Sequence, residues 1–126
     1  MKGIVADCPY SSPKEILKSV MKQMKFPVNV TYTTVKLGAK IFGGFDVEEY
    51  SALEAMKYCK VPVLFFHGEE DYFVPCEMGK ACYETCQSEQ KRLVIVEGAA
   101  HGMSYCVDRD LYERELLAFL EPIFAE

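Results

Sequence analysis

The sequence predicts an α/β fold, a three-layer arrangement in which helices flank a parallel sheet. Three observations carry that prediction. Residues 3–8, 61–68 and 92–98 are short apolar runs bounded by turn residues, the pattern of strands buried on both faces. The segments between and after them carry helix caps and helical spacing of apolar residues. The two kinds of segment alternate, and such alternation means parallel strands joined by right-handed crossovers.

The elements follow in order. "GIVADC" is a strand that ends at a Pro-Tyr-Ser-Ser cluster. "SPKEILKSVMKQM" is a helix. Ser12 is its N-cap, Pro13 fits the first helical position, and Glu15 completes a capping box. Ile16, Leu17, Val20, Met21 and Met24 recur on one face of it. Residues 28–45 are rich in β-branched side chains, which favour a strand. Val28, Tyr32, Val35, Leu37 and Ile41 nevertheless share one broad helical face, so a helix closed by Gly43 and Gly44 is preferred. Asp46 is expected to cap a further short helix reaching about Lys57. "VPVLFFHG" is the second strand, and Pro75 opens the helix "PCEMGKACYETCQS". "RLVIVEG" is the third strand. Asp108 caps a last helix with Leu111, Leu116, Leu117 and Leu120 inward.

Composition bounds the function. The 126 residues make one domain at most, and half of them are apolar, so the chain can bury a core. A net charge of -5 argues against a nucleic-acid surface. No apolar run is long enough to span a bilayer, and nothing marks an export route, so the cytoplasm is the expected compartment. Cys8, Cys59, Cys76, Cys82, Cys86 and Cys106 lack the paired spacing of a zinc site and are read as free thiols, largely buried. Neither a phosphate-binding loop nor the HExxH zinc motif occurs, and no cofactor or metal is expected.

Chemistry in open parallel sheets gathers at the carboxyl ends of the strands. Two such ends stand out. "HGEEDYFVP" holds Glu69, Glu70 and Asp71, and "EGAAHGMS" holds His101 between small residues that leave its ring room to turn. Adjacent parallel strands bring these ends together. A carboxylate that accepts from one imidazole nitrogen fixes the tautomer and stabilises the imidazolium formed when the other nitrogen takes a proton. Such a pair lacks only a hydroxyl or thiol nucleophile.

"VPVLFFHGEEDYFVP" followed by "RLVIVEGAAHGMSY" resembles the acid and histidine segments of the α/β-hydrolase superfamily, in its bacterial esterase and peptidase-like branch. "GIVADCPYSSPKEIL" resembles the strand and helix just downstream of that family's nucleophile elbow. The resemblance runs over essentially the whole chain. It implies the last three strands of the family's fold, with residues 1–126 as a carboxyl-terminal portion of one domain. It also implies that Asp71 is the triad acid, with Glu70 as fallback, and His101 the triad base. The substrate class implied is a small-molecule ester or amide.

The elbow G-x-S-x-G should precede both residues, and it is absent. None of Ser11, Ser12, Ser19, Ser51, Ser88 and Ser104 sits between glycines. Cys8 is the most tempting substitute, but Pro9 after it argues against an elbow that runs directly into a helix. The chain therefore reads as the later half of a serine hydrolase, inert alone. A cut chain, a short gene product and one of two polypeptides all fit. A non-catalytic oligomerising module is the alternative. The strand at 3–8 would be a sheet edge here, and self-association through it is expected. His67 reads as a structural residue bonded under the loop, and Asp7 as a polar support. Tyr10, Tyr72, Phe73 and Met103 read as packing residues near the strand ends, with a pocket wall as their sharper alternative.

Overall fold

The computed structural model describes residues 1–125. Its sheet has three parallel strands in the order β1-β2-β3, formed by Ile4–Asp7, Val63–Gly68 and Lys91–Val96. β2 is central and all six of its residues are buried, as its unbroken apolar run requires. β1 and β3 are the two edges. β1 is therefore only half-buried, with Val5 and Asp7 exposed, and β3 turns Arg92 outward. The two flanking runs were expected to be buried on both faces; one open side each is the reason they are not.

One face of the sheet carries Leu64, Phe66, Val94 and Val96, packed against Leu111, Tyr112, Leu116 and Phe119 of the last helix. The Phe66 and Tyr112 rings stack with centroids 3.8 Å apart. The other face carries Val63 and Phe65 with Cys82 and Cys86, the two thiols that share one helical face. Fully burying a side chain the size of those on β2 contributes about 1.5–3 kcal/mol, so this strand anchors both layers.

The helices start where local chemistry dictates. α1 (Pro13–Gln23) is capped by Ser12 Oγ, which accepts from the Glu15 amide. α2 (Val28–Gly38) runs into a π-helical turn at Ala39–Gly43 and stops at Gly44, whose φ of 71° is left-handed. Tyr32 is buried with Met21 and Val47, whereas Val35, Leu37 and Ile41 of the expected apolar face are exposed. α3 is shorter than expected. It spans Ala52–Met56 and is capped by Ser51, not Asp46. The Asp46 carboxylate is used in a turn, where it accepts from the Glu48 amide and faces Lys36. α4 (Cys76–Thr85) follows Pro75. A single turn, α5 (Ser104–Val107), precedes α6 (Arg109–Phe124), which Asp108 caps through the Leu111 amide. Leu117 of α6 points to solvent rather than inward.

Candidate active site

The two loops meet because β2 and β3 are neighbours and because Gly68 lets their ends touch. A Cβ at Gly68 would stand 2.2 Å from the Ala99 carbonyl oxygen. Without it, the Glu69 amide donates to Val96 O (2.9 Å) and the Glu70 amide to Ala99 O (3.0 Å). The β2 loop is thus sewn to the β3 loop before either functional side chain is placed. Gly98 and Gly102, with φ of 69° and 66°, take the left-handed bends that turn His101 back over the sheet end.

Asp71 is buried at the bottom of this junction. Its Oδ1 accepts from the amides of Phe73 (3.0 Å) and Val74 (2.8 Å), an Asx turn closed on itself. Its Oδ2 accepts from His101 Nδ1 at 2.7 Å. Burial pushes the Asp71 carboxyl up, but the bonds from His101 and the Val74 amide, with a contact to Cys8, outweigh it and hold it below the usual aspartate value. The His101 side chain is 43% exposed, and its Nδ1 edge is held by Asp71. That is the geometry of an imidazole whose tautomer is fixed by its carboxylate partner. Phe73 leans against the His101 ring with centroids 5.1 Å apart. Glu70 is exposed, and its amide, rather than its carboxylate, does the tying.

Cys8 also reaches the pair. Its Sγ, an Asp71 oxygen and a His101 nitrogen lie within 4.8 Å of one another. The thiol accepts from the Gly102 amide at 3.4 Å and donates to Asp7 Oδ1 at 3.3 Å. Cys8 itself has a φ of 50°, an unusual backbone for a side chain with a Cβ. Burial pushes its thiol up to about 11, so it stays protonated near neutrality and is a poor nucleophile or metal ligand. Nδ1 and Oδ2 are already committed to each other. The three donors therefore form a hydrogen-bonded group rather than a cation site.

Asp7 accepts from the Tyr112 hydroxyl at 3.1 Å, which ties β1 to α6 as a polar support would. Tyr10, Tyr72, Phe73 and Met103 are all exposed, so they rim the site instead of filling the core. Beside them an open cavity of about 530 Å³ is lined by Cys8, Pro9, Tyr10, Tyr50, Ala52 and Ala55. One contact has no sequence signal. Gln23, in the last turn of α1, donates to Tyr72 O at 2.6 Å and clamps the acid loop from a distance of 49 positions.

With this geometry described, comparison with known proteins is informative. The family model described as serine aminopeptidase, S33, matches residues 18–105, more than half of the chain. An uncharacterized protein of Bacillus subtilis, YqkD, is 29% identical over 118 residues, which is 93% of this chain and 38% of that protein. A bifunctional esterase/perhydrolase of Acinetobacter calcoaceticus is 38% identical over 68 residues, 53% of this chain and 24% of that protein. The chain thus spans well under half the length of these relatives. A Pyrococcus furiosus esterase superposes over 97% of this chain and 45% of its own, with a TM-score of 0.69 and 22% identity, a likeness of fold.

Proposed function

The chain belongs to the S33 serine aminopeptidase family of α/β-hydrolases, and from that premise we propose that Asp71 and His101 are the acid and base of a serine-hydrolase triad acting on a small ester or amide. The observation that carries this reading is the 2.7 Å contact between Asp71 Oδ2 and His101 Nδ1, on a carboxylate whose other oxygen is held by two backbone amides. Asp71 stays ionised, keeps the proton on Nδ1 and leaves Nε2 bare. His101 Nε2 then takes a serine proton as the hydroxyl attacks the carbonyl carbon, and returns that proton to the leaving group. Asp71 stabilises the imidazolium in between.

The serine in this reading is not one of this chain's own. Ser12 and Ser51 are committed to helix caps, Ser19 lies within α1 and accepts from Gln23, and Ser11, Ser88 and Ser104 are buried. The nucleophile and its oxyanion donors come from a segment that pairs with the open side of β1, next to Cys8 and the Asp71–His101 pair. Esterase activity in the Acinetobacter relative and in the Pyrococcus fold relative makes esters the first substrates to try.

The test uses p-nitrophenyl acetate. The isolated chain is expected to show no turnover beyond that of free imidazole. Turnover that His101→Ala abolishes would show that the chain supplies its own nucleophile. In a chimera carrying this chain in place of the matched segment of YqkD, hydrolysis is expected, and Asp71→Asn should lower kcat by about 10⁴-fold. An active chimera indifferent to both Asp71→Asn and His101→Ala would remove the pair from the mechanism.

A further inference from the structure

His67 is the most completely buried ionisable side chain near the site, with no exposed surface. It lies on β2, four residues before Asp71, and its ring occupies the space beneath the acid loop. Nε2 is 2.9 Å from the Val74 carbonyl oxygen, so Nε2 carries the proton and donates. The same nitrogen lies 3.5 Å from Asp71 Oδ2, the oxygen that receives His101. That distance is long for a hydrogen bond, and the contact acts as an N–H dipole aimed at the carboxylate. Nδ1 is then a bare lone pair, and it has no partner among the described residues.

The unpartnered nitrogen faces α4 at Gly79. A Cβ there would stand 2.2 Å from Nδ1. Gly79 thus leaves a socket the depth of an imidazole. Val74 closes the arrangement: its amide donates to Asp71 Oδ1, and its carbonyl accepts from His67. One ring therefore holds the far end of the Asp71 turn and faces the Asp71 oxygen that matters. A ring serving only to fill space would not leave a buried nitrogen unpaired, because such a nitrogen gives up its hydration with nothing in return.

The geometry points to His67 as a positioning residue, held in one tautomer by the Gly79 socket, that sets the aim of Asp71 Oδ2 at His101. The inference rests on the reading of Asp71 and His101 as the reacting pair, but its test does not need hydrolysis. It fixes opposite tautomers for the chain's two histidines: Nε2–H on His67 and Nδ1–H on His101.

Two histidines give two imidazole spin systems in the isolated, ¹⁵N-labelled chain. The spectrum should show His67 protonated at Nε2, and His101 with a strongly deshielded, slowly exchanging Nδ1 proton. His67→Leu should move that His101 proton upfield and speed its exchange with water about tenfold, the size expected for a loosened charge-assisted bond. His67→Gln keeps an N–H near the Nε2 position and should restore the signal. Gly79→Ala displaces the ring without deleting it and should act like His67→Leu, which covers the case of a leucine variant that does not fold. A wild-type His67 protonated at Nδ1 would overturn the inference. So would a folded His67→Leu or Gly79→Ala chain whose His101 signal is unmoved, since a purely structural His67 would change stability alone.

Discussion

At the residue scale, the Asp71 carboxylate is a source of pH dependence whose sign can be worked out. Its side chain is buried, and three donors favour its charged form, so its value lies below the ordinary 3.8. A carboxyl depressed by folding adds stability at every pH above its unfolded value and loses that contribution as pH falls through the folded value. Urea unfolding of the isolated chain should therefore weaken between about pH 5 and about pH 2. Asp71→Asn should cost about 2 kcal/mol near neutrality, because a charge-assisted acceptor becomes a neutral amide against three donors. It should also flatten the acid limb, so that the variant and the parent converge at low pH. Parallel curves for the two proteins would mean that Asp71 is not ionised in the fold. The Cys8 thiol makes no contribution in this range, since burial holds it protonated.

At the element scale, the junction of the β2 and β3 loops decides whether the pair forms, and Gly68 controls that junction. Gly68→Ala would force a methyl against the backbone oxygens of Ala99 and Ala100, at 2.2 and 2.8 Å, where no side chain can move aside. We expect a loss of about 3 kcal/mol in urea unfolding and disappearance of the His101 Nδ1 signal. Gly98→Ala meets open space and only the strain of its left-handed φ, so about 1 kcal/mol and an intact signal are expected. Much of this architecture was legible in the chain. The Ser12-Pro13-Glu15 start of α1 is local chemistry, and the short unbroken "VLFF" of β2, bounded by Pro62 and Gly68, fits a strand covered on both sides. The meeting of Asp71 and His101 was legible because adjacent parallel strands bring their carboxyl ends side by side. What sequence reasoning missed depends on contacts made at a distance. Asp46 has the chemistry of a helix cap but is drawn into a turn facing Lys36. Leu117 has helical spacing but faces solvent, outside the cluster that Leu111, Leu116 and Phe119 make against the sheet. The reach of Gln23 to the Tyr72 carbonyl, and the socket that Gly79 makes for His67, follow from how helices dock, which no local pattern encodes.

At the scale of the whole molecule, the question is what covers the open side of β1. Ile4 and Cys8 donate their amides to Pro62 O and Phe66 O on the β2 side. Alternation then turns the amides of Val5 and Asp7 outward, with no strand among the described residues to meet them. Val5 is 41% exposed, and the edge continues into the apolar cavity between Tyr10 and Tyr50. A strand edge with an apolar margin is a template for pairing. In the proposed reading of the site, a serine-bearing segment lies there. In the isolated chain we expect a second copy to take its place, because the same outward amides and carbonyls on two molecules are complementary under a two-fold axis. Size-exclusion chromatography with light scattering should give at least twice the 14.3 kDa of one chain. Val5→Lys places a charge on the edge without touching a bond to β2, and should return the chain to a monomer with its far-UV circular dichroism intact. A parent chain that is monomeric across the accessible concentration range would refute pairing through β1. So would a Val5→Lys variant that associates as the parent does. If pairing is confirmed, the edge that our reading assigns to a serine-bearing segment is occupied in the dimer. Adding the serine-bearing segment should then dissolve the dimer and raise esterase activity in parallel, in the same titration.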